Sequence, residues 1–218
     1  MSDFPPDHRP IRTALLMATL AVVAPPAHAQ DSAVADSSHS WSFDLDAAVW
    51  FVPNQSDFVL LQLYADRGAL HLEARYNYED LQTGSAWVGW TFGFDGTLSA
   101  EFTPMAGALI GNTNGLAPGL EFDASLGPVE LSIEMEYVFD LDDSDSNYFY
   151  AWSELGVWPL EWASPGLVFQ KTQLVDTLTD EQWGPYLRLT SGRFGLTGYL
   201  LDLSQEDFFG IIQAEFSF

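Results

Sequence analysis

The sequence predicts an all-β chain closed into a single antiparallel transmembrane β-barrel of about twelve strands. Three observations predict it. From residue 41 onward, segments alternate between apolar and polar residues with the period of two that a strand requires. Two-residue turn signals alternate with longer polar loops, which in a spanning barrel fall on opposite sides of the membrane. On the apolar faces, aromatic residues sit at the ends and aliphatic ones in the middle, the arrangement of two interfacial girdles around a hydrocarbon belt.

Before the barrel come two segments of another kind. Residues 1–29 read as a secretory signal, with Arg9 and Arg12 ahead of an apolar run over 14–24 and Ala27-His28-Ala29 as a small-x-small cleavage site. Asp3 and Asp7 are unusual ahead of those arginines, and a later start would leave the mature chain unaltered. Residues 30–40 form a polar leader. No apolar run approaches the roughly 18 residues a spanning helix needs, so a membrane is crossed by strands or not at all.

The strands are expected at 41–52, 58–65, 69–78, 85–94, 97–110, 116–126, 129–139, 148–158, 166–175, 183–190, 193–201 and 208–218. Most come near the ~9–11 residues that a tilted strand needs to span a bilayer. Tight turns are expected at Arg67-Gly68, Asp95-Gly96, Gly127-Pro128 and Ser191-Gly192. The longer loops are 53–57, 79–84, 111–115, 140–147, 176–182 and 202–207. Residues 159–165 are long where a tight turn is due, which keeps ten strands open as an alternative.

Alternation alone suits a soluble barrel or sandwich as well, with its apolar face turned inward. The heights of the aromatics favour the membrane form. Trp41, Phe43 and Phe51 flank Leu45, Ala47 and Val49 on the first strand; Tyr137 and Phe139 lie at the loop end of the seventh, and Trp90, Phe92 and Phe94 at the turn end of the fourth. A soluble core has no reason to sort residues by height.

On the last strand, Phe208, Gly210, Ile212, Ala214, Phe216 and Phe218 share one face, and an aromatic residue closes the chain. This resembles the terminal strand of Gram-negative outer-membrane β-barrels. The resemblance implies that Phe216 and Phe218 are read by the barrel-assembly machinery, that the termini are periplasmic, and that lipid and lipopolysaccharide surround the outer face. It covers a structural class and no particular family.

Composition excludes several functions. With no cysteine, disulfides and thiol chemistry are absent. Removing residues 1–29 takes away two acids and two bases, so the formal charge stays at −24. Only Arg67, Arg75, Lys171, Arg188 and Arg193 then remain as bases, and no basic stripe exists for nucleic acid. An aromatic content of 15% separates the chain from acidic disordered tails. Adaptation to salt and a functional role are both open readings of the acidity.

The polar faces would line a lumen. They carry Asp44, Asp46, Glu73, Glu101, Glu121, Asp123, Glu130, Glu134, Glu136, Glu154 and Glu215 against Arg75, Arg188, Arg193 and, less securely, Lys171. Pairing across Gly127-Pro128 sets Asp123 near Ser132 and Glu121 near Glu134. Arg188 and Arg193 fall on the other side of the barrel, so an acidic wall is expected to face a smaller basic patch across a wet interior. A lumen filled by paired charges is the competing expectation.

Neither catalysis nor metal chemistry is predicted, and no cofactor is expected. A lipid hydrolase of this architecture needs a histidine near the outer leaflet, whereas His39 lies in the leader and His71 points inward near the Arg67-Gly68 turn. Interior carboxylates are too numerous for any pair to single out glycosidase chemistry. The loop 140–147 alternates oxygen ligands, yet Asp145 stands where an EF-hand needs glycine and Ala151 where it needs the bidentate glutamate. It is expected as a solvated acidic loop sharing divalent cations with lipopolysaccharide. His71 beside Glu73 lacks a second histidine, and no transition metal is expected.

The leading functional expectation is a passive, porin-like channel for small solutes that favours cations. A closed barrel with a structural or interaction role comes second, and a surface-active enzyme third. Twelve-stranded channels for nucleosides or acidic oligosaccharides are similar in strand number; the acidic-sugar type implies a basic lumen, which this chain lacks.

Overall fold

The computed structural model describes residues 40–174, 179–203 and 208–218. The signal segment, the leader up to residue 39 with His39, Val175 and loop residues 176–178 and 204–207 lie outside them. The strands are β1 Ser42–Phe51, β2 Phe58–Arg67, β3 Leu70–Tyr76, β4 Gly84–Trp90, β5 Phe92–Phe94, β6 Ser99–Ile110, β7 Gly115–Leu126, β8 Val129–Asp140, β9 Tyr148–Val157, β10 Ala163–Leu174, β11 Thr179–Ser191, β12 Phe194–Leu201 and β13 Phe209–Ser217. Each pairs antiparallel with its neighbours, and β1 pairs with β13. Pairing of β4 with β6 completes the ring, giving a closed barrel of twelve staves with β5 as an extra short strand.

That extra strand corrects the expected strand 85–94. β4 and β5 hold one register against β6, with Gly89 opposite Met105 and Phe92 opposite Phe102. The same register sets Trp90 opposite Pro104, which has no N–H to give, so the ladder lapses there. β3 ends its pairing at the same height, with Leu70 opposite Trp90. Past the gap, β5 is held by β6 alone.

Two expected turns shift by one residue. Arg67 pairs with Leu70 and Ser191 with Phe194, so the turns are Gly68-Ala69 and Gly192-Arg193. Gly127-Pro128 stands as expected, with Leu126 opposite Val129. In all three the glycine comes first, with φ of 61°, 58° and 63°, and the second residue keeps negative φ. A type II′ hairpin asks for glycine at that first position. The long connection 159–165 is also a tight one: Leu160 bridges to Ala163 around Glu161-Trp162, and β10 starts three residues earlier than expected despite Pro165. β11 likewise starts at Thr179 rather than 183, where it pairs with β10 alone.

The outer face is apolar. Leu45, Leu63, Val88, Leu155, Leu167 and Ile212 are exposed at mid-height. Trp41, Trp90, Phe94, Phe194 and Phe218 are exposed at the end carrying the tight turns, and Phe51, Phe139 and Trp183 at the end carrying the loops. An exposed aliphatic belt between aromatic bands, around a charged interior, is the surface of a barrel solvated by lipid. Lys171 belongs to this outside: it follows Leu167 and Phe169 in parity and pairs at 3.1 Å with Glu181 beside it on β11. The expectation that it lines the interior is thereby corrected.

Candidate functional site: the barrel interior

Strand parity sends a ring of side chains inward at each height, and three layers result. Nearest the turn end, acids dominate. Asp44 accepts from Ser217 Oγ at 2.5 Å and Asp46 from Gln213 Nε2 at 3.0 Å. Glu101 stands opposite Asp123 and Asp123 opposite Ser132 in the ladders; both acids are exposed. Side chains of Asp66, Glu121, Glu130 and Glu215 are 37%, 19%, 31% and 27% exposed, so water reaches this layer.

Two arginines then bridge the interior. Arg188 of β11 donates from Nη2 to Glu154 Oε2 at 2.6 Å and from Nη1 to Glu130 Oε1 at 3.2 Å, with Glu215 Oε1 at 3.7 Å from Nε. Glu154 is filled by its neighbours, since its Oε1 also accepts from Trp152 Nε1 and Tyr199 OH. Arg75 of β3 reaches across to β8. Its Nη1 donates to Glu136 Oε2 at 3.2 Å, and its Nε to Glu73 Oε2 at 2.5 Å. Glu134 Oε1 lies 2.6 Å from Nη1 without lying along an N–H, an ion pair rather than an aligned hydrogen bond. Glu79 Oε1 stands 3.9 Å away.

The Arg75 guanidinium is held between two rings, with its carbon 4.5 Å from the Tyr78 centroid and 4.6 Å from that of Trp87. Trp87 can lie there because the strands behind it carry glycine. A Cβ on Gly107 would stand 2.4 Å from Trp87 Cδ2, and one on Gly119 would stand 2.9 Å from Cζ3. Gly166 leaves the same room for Tyr186 on the other side of the barrel.

Toward the loop end the interior turns apolar. Ala48, Leu60, Val168, Tyr199, Leu201, Phe209 and Ile211 form one buried group with Trp50 and Trp152 against it, and Leu109, Ala117 and Val138 join Trp87 and Met105 in another. The β3–β4 connection closes over this end. It is braced by Thr113, which donates from N to Thr83 Oγ1 and from Oγ1 to Asp80 Oδ2.

The expected separation of an acidic wall from a basic patch is corrected by these contacts. Arg75 stands among the acids, and Arg188 crosses two intervening strands to Glu130; long guanidinium side chains span an interior this narrow. Glu121 and Glu134 do face each other in the ladder. Arg193 does not join either group: as the second residue of its turn it is exposed, and it leaves the inward parity that a strand start would have given it. Glu79 escapes sequence reasoning because it reads as loop, and Tyr78 reads as the end of a strand that in fact stops at Tyr76. Left-handed backbone at Asn77 and Gln82 (φ of 60° and 59°) belongs to the connection that carries them over the barrel mouth. The inward run Ser85, Trp87, Gly89, with Gly107 opposite Trp87 on β6, is the signal in the sequence for Trp87.

His71 is buried with Nδ1 and Nε2 each 2.7 Å from a carboxylate oxygen, of Asp66 and Glu73. Ligand atoms of His71, Glu73 and Glu121 lie within 4.8 Å of one another, so these three could hold a metal ion; the third comes from β7, too far in sequence to be associated with the other two by spacing. The neighbour contacts already engage both ring nitrogens. In the loop 140–147, Asp140 Oδ1 accepts from the amides of Asp142 and Asp143, and Asp143 Oδ1 from that of Asp145. Those carboxylates hold the loop's own backbone rather than converging on a cation.

No protein-family model matches the chain, and no curated protein matches its sequence. Solved structures do match in fold. The KdgM porin has a TM-score of 0.57 at 12% identity, over 80% of this chain and 99% of that one. The KdgM porin in complex with disordered oligogalacturonate gives 0.55 at 11% identity, over 81% and 99%. The outer membrane protein Omp33 of Acinetobacter baumannii gives 0.50 at 13%, over 82% and 98%. The architecture is thus that of outer-membrane porin barrels, and these neighbours are porins and an outer-membrane protein rather than enzymes.

Proposed function

We propose that this chain is a porin-like channel of the bacterial outer membrane, passing small solutes with a preference for cations. Its termini and tight turns face the periplasm, its loops the outside, and lipopolysaccharide surrounds its outer belt. The observation that carries the reading is a charged interior, wet on the turn side and narrowed by the Arg75 and Arg188 clusters. Replacing buried ion pairs by well-packed apolar residues is often neutral or stabilising, so staying shut does not by itself call for them. Unequal populations of acids and bases instead concentrate cations where the interior meets water. The oligogalacturonate seen with the KdgM porin is an anion, and this interior does not suit it. His71, pinned between two carboxylates inside the barrel, has no access to lipid, so no hydrolase role is proposed.

A closed structural barrel is the second reading, favoured by the side chains of Arg75, Glu73 and Glu79, which are 0% exposed. Folded protein in a planar bilayer separates the two. Discrete conductance with a cation-selective reversal potential between unequal KCl solutions supports the channel; its absence from folded protein leaves the closed barrel.

A further inference from the structure

At the loop end the interior holds a cavity of about 190 Å³. We propose that it binds a protonated primary amine, either a short alkylammonium ion or the amino end of a larger solute. Its walls include the rings of Trp50, Phe58, Tyr148 and Tyr150. Trp50 stacks on Phe58 at 5.5 Å, and Tyr150 meets Tyr78 edge-on at 5.7 Å, so the rings are fixed in place. Aromatic faces attract cations through their quadrupoles, and more strongly away from water.

The polar atoms narrow the choice of cation. Glu79 also lines the cavity, and its side chain is 0% exposed. Oε1 accepts from Ser85 Oγ and Trp87 Nε1, while Oε2 has no hydrogen-bond donor among the described residues. Gln170, which lines the cavity from β10, supplies in Oε1 a second buried acceptor in that condition. Buried acceptors left without donors are costly, and a ligand carrying N–H groups satisfies them.

Charge points the same way. Glu73, Glu79, Glu134 and Glu136 all stand within 3.9 Å of the Arg75 guanidinium, and only Glu73 of the four also has His71 beside it, so carboxylates outnumber the cationic groups that face them. An anion is repelled, and a neutral ligand leaves the charge unbalanced. A quaternary ammonium ion would suit the rings but bring no N–H to the oxygens. The site is independent of whether the interior conducts.

The test uses the full chain, folded in detergent and titrated calorimetrically with n-butylammonium at constant ionic strength. Saturable one-site binding is expected, about tenfold weaker with tetramethylammonium and absent with butan-1-ol. Glu79→Gln should weaken n-butylammonium binding by about tenfold or more, whereas Asp142→Asn, in an exposed loop, should leave it unchanged. Should Glu79→Gln fail to fold, Gln170→Leu takes its place, with a loss of a few fold. No saturable binding, equal affinity for tetramethylammonium, or an unchanged affinity in the folded variant would overturn the proposal. Conductance lost with binding intact refutes the channel alone, and binding absent with conductance intact refutes this site alone.

Discussion

Phe43 and Phe218 exchange both backbone hydrogen bonds, at 3.2 and 2.9 Å, and their rings stack at 5.5 Å. The last residue of the chain is therefore part of the seam between the first and last strands. Phe216 stacks on Phe218 at 5.6 Å and packs on Phe194 at 4.8 Å, which continues the seam outward along the turn end.

Deleting Phe218 should lower the folded, heat-modifiable fraction on gels. Phe218→Ala keeps the backbone pair and loses two ring contacts, at about 1 kcal/mol each, measurable by urea unfolding from vesicles. Unchanged assembly and stability in both variants would show that the terminal aromatic plays no part in closure.

Arg75→Met leaves Glu134 and Glu136 buried without their cation, and Glu73 with His71 alone. A loss of about 3–5 kcal/mol is expected. Adding Glu134→Gln and Glu136→Gln should recover part of it. If the triple variant is no more stable than Arg75→Met, the cluster is not what the substitution disturbed.

Gly107→Leu forces a side chain into the space of the Trp87 ring. Overpacking of this kind costs about 1–3 kcal/mol and should appear as a lower unfolding midpoint. The same change at Gly127, where an added Cβ meets nothing within 4 Å but φ is +58°, tests backbone strain alone.

Selectivity should follow the acids that lack an arginine. Asp46→Asn with Asp123→Asn should move the reversal potential toward neutral, whereas Glu134→Gln with Glu136→Gln should move it less. The wild-type preference should shrink in high salt, as the Debye length falls from about 10 Å at 0.1 M to about 3 Å at 1 M. Equal shifts from the two pairs would contradict the geometry of the Arg75 cluster.

The chain has no cysteine, so single cysteines report topology directly. A membrane-impermeant maleimide should label Asp142→Cys on intact cells and Arg67→Cys only after the outer membrane is broken. The reverse pattern would invert the proposed orientation.

Much of the fold was legible in the sequence, because a period of two and glycine turns are local signals. Strand order followed from short connections, and the register of β7 with β8 from Gly127-Pro128. What was not legible depended on long side chains and on gaps in the ladder. Parity placed Arg75 inside the barrel but not its reach to Glu136, 61 residues away. Lys171 reads, less securely than the arginines, as an interior residue, although Leu167 and Phe169 fix its parity outward. The break at Thr91 needed the register of β6, since only that register sets Pro104 against Trp90.

Inside the barrel, polarity is graded along the axis: carboxylates at the turn end, arginine clusters at mid-height, rings at the loop end. A conduit with such a gradient is electrically unequal from its two mouths. Ions driven in one direction accumulate where fixed charge holds them, and in the other direction they are depleted. Any current through it should therefore rectify, differing in size at equal and opposite voltages, with the asymmetry diminishing once Asp46 and Asp123 are neutralised.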